Sequence, residues 1–126
     1  MSTKKTSQLF GSRLREKRIA KKFSLRKFAE LVGISPTYLS QVEQSNVDPP
    51  TAERVQRMAE LLEENPDELI ALAGRVADDL PAIIQAKIEV PDLLRAVRGL
   101  SAEQLRKLRE SAEEMQRDKS KKDKQR

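Results

Sequence analysis

The chain is 126 residues long, 37% hydrophobic and 36% charged, with a net charge of +5 and neither Cys nor His. That length sets one domain, or one small domain with an appendage, around a modest core. The missing Cys and His exclude disulfides, thiolate and imidazole metal sites, and Cys or His catalysis.

Residues 1–8 are polar and carry Lys4 and Lys5 without a periodic apolar pattern, so a mobile basic arm is expected there. A first helix is predicted over 9–21. Phe10, Leu14 and Arg18 form one row, Leu9 and Ile19 flank it, and Arg13, Arg15, Lys17 and Lys21 fall largely elsewhere. Ser24 caps a second helix over 25–32, with Phe28, Ala29 and Val32 inward, and Gly33 ends it. Ser35 caps a third, with Pro36 at its first position and Leu39 and Val42 inward, running to about Gln44. Pro49 and Pro50 close the loop that follows. Thr51 caps a fourth helix with Val55, Met58, Ala59 and Leu62 as its stripe. Asn65-Pro66 opens a fifth over 66–73, ended by Gly74.

Beyond it, Pro81 and Pro91 each open a short apolar-periodic segment, the second carrying Leu93, Leu94 and Val97. Ser101 caps a last helix whose Leu105, Leu108, Ala112 and Met115 recur at coiled-coil spacing for under two heptads. A seam that short is marginal alone and needs something to pack on. No apolar residue follows Arg117, and the basic stretch 117–126 is expected to be disordered. The expected layout is all-α: a five-helix domain over 9–74, a helical extension over 75–116, and that tail.

Charge is unevenly spread. Residues 1–22 carry eight basic residues against Glu16 alone, and residues 43–68 carry eight acidic ones against Arg54 and Arg57. A basic front, an acidic middle and a basic tail suggest a polarised surface. No apolar run approaches the roughly 20 residues of a membrane span. Lys4 and Lys5 are not followed by an apolar signal stretch, so a cytoplasmic protein with no membrane partner is expected. No carboxylate pair, Gly-rich phosphate loop or catalytic constellation stands out, so neither an enzyme nor a cofactor is expected. Aromatics at 3% leave no stacking platforms for RNA.

The segment 25–44 is the centre of the functional reading. A helix reads bases by lying in the major groove, and must project yet be held rigidly. A second short helix packed across it does this if the two approach closely. Ala29 and Gly33 supply the small residue and the tight turn; Leu39 and Val42 supply one buried face. Thr37, Tyr38, Ser40, Gln41 and Gln44 remain as hydrogen-bonding types for a free face.

Phe28, Ala29, Gly33, Ile34, Ser35, Tyr38, Leu39, Ser40 and Glu43 spell F-A-x-x-x-G-I-S-x-x-Y-L-S-x-x-E. With this pattern, the span from Phe10 to Leu72 resembles the lambda-repressor-like, or Xre, helix-turn-helix family of transcription regulators. The resemblance implies five short helices and a dimer on palindromic double-stranded DNA. It implies DNA-facing positions at Pro36, Thr37, Tyr38 and Gln41, with Gln41 placed to bond adenine bidentately; Ser35 and Ser40 complete the expected DNA-binding set. It also implies backbone contacts from Gln44 and Asn46 and a structural ion pair between Arg18 and Glu43. Leu25 stands where the family often has a phosphate-contacting Gln, with Arg26 or Lys27 to compensate. Ser45 replaces the usual Gly, so a looser turn is expected. Asp48 lies where basic residues are common, and Pro36 offers no side-chain hydrogen bond. The reading is a homodimeric, sequence-specific repressor. Its alternative is an antitoxin-like or adaptor protein whose C-terminal helices bind a partner protein or effector.

Overall fold

Side-chain caps at Ser24, Ser35, Asn65 and Ser101 and a glycine turn at Gly33 set several helix ends. The computed structural model describes residues 2–124, with side chains described for 9–122. These residues form α1 (Ser2–Ala20), α2 (Leu25–Val32), α3 (Pro36–Glu43), α4 (Ala52–Leu62), α5 (Pro66–Leu72), α6 (Leu80–Ala86), α7 (Glu89–Ala96) and α8 (Ala102–Lys124), with no strand among them. The all-α expectation holds.

The chain divides into two units, Met1–Leu80 and Pro81–Arg126. In the first, α3 packs against α1 and α2, α4 against α5 and α2, and α5 against α1. Their shared core holds Phe10, Leu14, Phe28, Leu39, Val42, Val55 and Met58 with essentially no exposure. Each such side chain contributes about 1.5–3 kcal/mol by leaving water. The Phe23 and Phe28 rings sit 5.6 Å apart in a tilted pair beside them. Leu9 and Ile19, expected to flank this face, are instead more than half exposed; their positions on α1 carry them past the edge of the buried stripe.

Three features differ from expectation. α1 starts at Ser2 rather than residue 9, because residues 2–8 hold neither Pro nor Gly and continue the helix backwards. The first unit also continues past Gly74, with Ala77 packed on the core and Arg75 donating to the carbonyls of Pro49 and Pro50. Thr51 stands at the α4 N-cap but makes no side-chain capping bond.

α1 closes with the Phe23 N–H donating to the Arg18 carbonyl at 3.1 Å and the Lys22 N–H to Ile19 at 2.9 Å. Lys22 thereby takes φ 62°, a left-handed conformation that glycine enters freely. Relieving about 1–2 kcal/mol of steric cost, less roughly 0.4–1 kcal/mol of added unfolded-state entropy, gives a modest net gain. Lys22→Gly should therefore raise the denaturant midpoint by the equivalent of about 0.5–1 kcal/mol without changing the m-value.

In the second unit no described residue is buried. α8 opens on a reciprocal capping box: the Gln104 N–H donates to Ser101 Oγ at 3.1 Å and the Ser101 N–H to Gln104 Oε1 at 3.0 Å. The expected disorder from 117 onward is not found up to Lys124, and residues 125–126 lie outside the described residues. Residues 102–124 contain no Pro or Gly and are dominated by strong helix formers. Charge pairs Glu103–Lys107 and Arg109–Glu113 support the first half.

Candidate nucleic-acid interface

Four devices hold α3 in place. At its start, Ser35 Oγ accepts the Tyr38 N–H at 3.1 Å, and Pro36 occupies the first turn. Before it, Gly33 at φ 85° lets the Ile34 N–H donate back to the Ala29 carbonyl at 3.0 Å, closing α2. Arg54, reaching from α4, donates Nη1 to the carbonyls of Val32 at 3.0 Å and Gly33 at 2.8 Å. That places a cation on the free carbonyls at the end of α2 and fixes the turn from outside. At the far end, Arg18 Nε and Nη2 donate to Glu43 Oε2 and Oε1 at 2.7 and 3.0 Å. Arg18 Nη1 donates to the Phe23 carbonyl at 2.9 Å, so every guanidinium nitrogen is used in a buried setting.

Two further features set the exit of α3. Gly11 on α1 lies so close that a Cβ there would sit 2.7 Å from the carbonyl oxygens of Val42 and Glu43. Ser45 takes φ 63°, the left-handed conformation usually given to glycine. The turn is therefore made despite the missing Gly, correcting the expectation of a looser one: the Ser45 N–H donates to Val42 and the Asn46 N–H to Gln41, at 3.1 and 2.9 Å.

On the outer side, the sequence-selected residues fall into two groups. Pro36 and Thr37 are exposed, and Tyr38 and Gln41 are half-buried. Tyr38 also leans on the core edge. The Gln41 carboxamide makes no side-chain hydrogen bond among the described residues, so its donors and acceptor remain available. By contrast, Gln44 Nε2 donates to Ser40 Oγ at 2.9 Å, and Asn46 Nδ2 donates to Gln44 Oε1 at 3.3 Å. This second group is a linked polar strip, better suited to a backbone than to a base edge. Arg26 and Lys27 are exposed in the first turn of α2 without ion pairs among the described residues.

The helix-turn-helix family model matches residues 14–69. The matched segment is similar to helix-turn-helix domains. No curated protein sequence matches the chain. Among solved structures, it is similar to the clp gene regulator ClgR from Corynebacterium glutamicum, at 26% identity and TM-score 0.48, over 73% of this chain and 89% of that one. It is also similar to a chain of the SinR protein/SinI protein complex, at 20% identity and TM-score 0.46, over 85% and 97% of the two chains.

Around α3 the fold places residues that reading the sequence did not weigh. Neither Arg54 nor Arg75 had a local sequence pattern pointing to the carbonyls it meets. Gly11 was signalled more clearly, since a glycine inside a helical pattern usually answers a packing need. The acidic middle is also partly spent on the basic front: Lys17 pairs with Glu64 at 3.0 Å, and Lys21 with Glu63. The hydrogen bond from Lys21, reinforced by its charge, holds the Glu63 carboxyl below the usual carboxylate range. Among the described residues no helix is long and apolar enough to cross a membrane.

Proposed function

We propose that the protein is a sequence-specific repressor that binds palindromic double-stranded DNA as a homodimer in the cytoplasm. The observation that carries the reading is the outer side of α3: Thr37 and Gln41 with uncommitted polar groups, beside the linked strip Ser40–Gln44–Asn46. In this reading Ser35, Pro36, Thr37, Tyr38 and Gln41 lie at base edges, and Arg26, Lys27, Gln44 and Asn46 meet phosphates. Repression follows from occupancy, the bound dimer excluding polymerase from a promoter.

Selection of bound sites from random duplex DNA tests this. The expected product is a palindrome with half-site centres roughly 34 Å apart, one helical turn. No enriched sequence at moderate salt would sink the reading. Gln41→Ala should cost about 1–3 kcal/mol on the selected site and relax preference at one base position. Equal binding of wild type and variant to selected and scrambled DNA would remove Gln41 from the base-reading set.

The second unit supplies the dimer in this reading. Leu93, Leu94, Leu105, Leu108 and Met115 are each more than 40% exposed, an apolar set that water disfavours. Ala112 is exposed and Val97 half-buried on the same helices. The same exposure favours a second reading, an antitoxin-like or adaptor protein whose extension binds a partner protein or effector. Sedimentation of the purified chain separates them: a dimer lost on Leu105→Lys with Leu108→Lys supports the first, and a monomer supports the second.

A further inference from the structure

A cleft of about 480 Å³ opens between α1, the first turn of α2 and the end of α3, lined by Arg15, Arg18, Leu25, Ser40, Glu43 and Gln44. Its charges are not equivalent. Arg18 and Glu43 cancel one another in the bidentate pair, and the third Arg18 nitrogen is taken by the Phe23 carbonyl. Leu25 provides an apolar wall where the family resemblance places a phosphate-contacting Gln. Arg15 is exposed and makes no ion pair among the described residues, so it is the uncompensated charge of the cleft. Ser40 Oγ accepts from Gln44 Nε2, which leaves the hydroxyl proton and the second amide proton of Gln44 as donors. A guanidinium, a hydroxyl and an amide therefore line one opening, and no carboxylate in it is unpaired.

We propose that this cleft binds one backbone phosphate of duplex DNA, with Arg15 as the charged contact and Ser40 and Gln44 as neutral donors. Arg26 and Lys27 do not line this cleft, so Arg15 is the cation placed to reach a phosphate there. The proposal rests on the DNA-binding reading and adds Arg15 to it. The geometry favours phosphate because guanidinium and N–H donors form charge-assisted bonds to its oxygens. Such a contact sets affinity without reading sequence.

The test is the salt dependence of affinity for the selected site and for scrambled duplex, with wild type, Arg15→Gln, Arg15→Lys and Arg13→Gln. Arg13 is the control, since it lies on the same helix but lines a different groove, with Glu64 and Glu68. Each phosphate neutralised contributes about −0.9 to the slope of log K against log salt. Arg15→Gln should flatten the slope by about that amount on both DNAs, so its deficit shrinks about 3.5-fold between roughly 50 and 200 mM salt. Arg15→Lys should keep the slope, Arg13→Gln should match wild type, and base preference should be unchanged in all. Free inorganic phosphate at matched ionic strength should not compete, which separates a backbone site from a site for the free anion. An Arg15→Gln slope equal to wild type, or an equal flattening by Arg13→Gln, overturns the site while leaving DNA binding intact. Wild type that binds no duplex overturns the DNA-binding reading, and this site with it.

Discussion

Glu43→Ala is expected to destabilise the first unit by about 3–5 kcal/mol, because it leaves the Arg18 guanidinium buried without its counter-charge. The Glu43 side chain is 4% exposed and that of Arg18 11%, so solvent does little to screen the orphan. The Phe23 carbonyl still accepts one Arg18 hydrogen, which places the cost toward the lower end of that range. Arg18→Met should cost a similar amount from the other side. The double substitution Arg18→Met with Glu43→Leu should recover most of the stability, since no buried charge remains. DNA affinity should not recover with it. A two-point fork fixes the rotation of α3 about its axis, and a Met–Leu contact does not. Chemical denaturation and binding to a selected site, run on all four proteins, separate the two roles. A single substitution costing under about 1 kcal/mol would show that the pair is solvent-screened after all. A double variant that binds like wild type would show that packing alone orients α3.

The contrast between these residues and their neighbours explains what could be read from the sequence. Ser24, Gly33, Ser35, Pro36 and Asn65 act within four residues of themselves, through caps and a left-handed turn, so their effects were legible and fix α2, the start of α3 and α5. The core stripes were legible for the same reason, since periodicity is local. The Arg18–Glu43 pair joins residues 25 apart in sequence and was legible only through resemblance to a family pattern. Arg54 on the α2–α3 turn and Arg75 on Pro49–Pro50 span 21 to 26 positions and had no pattern behind them. Both are arginines meeting carbonyl oxygens, and composition cannot distinguish those from solvated ones. The chain ends were misread because charge was weighed above propensity. Residues 117–124 have no apolar residue, yet nothing in them breaks a helix already started at Ser101.

Gly11→Ala reverses the usual sign of its substitution. In a helix interior such a change normally gains about 0.5–1 kcal/mol, since alanine loses less backbone entropy. Here the added methyl would lie 2.7 Å from two backbone carbonyl oxygens of α3 and 2.9 Å from Ser45 Oγ. The two carbonyl oxygens belong to the backbone and cannot swing aside, so α1 and α3 must move apart. Overpacking of this kind costs about 1–3 kcal/mol and should outweigh the helix gain. The displacement falls at Val42, Glu43 and Ser45, directly beside Gln44 and Asn46 and within the Arg18–Glu43 fork. Operator affinity should therefore drop about tenfold, equivalent to 1.4 kcal/mol, measured well below the melting transition so that unfolding does not contribute. Ser12→Ala, at the next and exposed position of α1, supplies the control: it should melt no lower than wild type and bind DNA equally. If Gly11→Ala melts above wild type and binds with unchanged Kd, the close approach of α1 to α3 has slack. The position of the reading helix would then be set by Ser35, Arg54 and the Arg18–Glu43 pair, without a spacing requirement on Gly11.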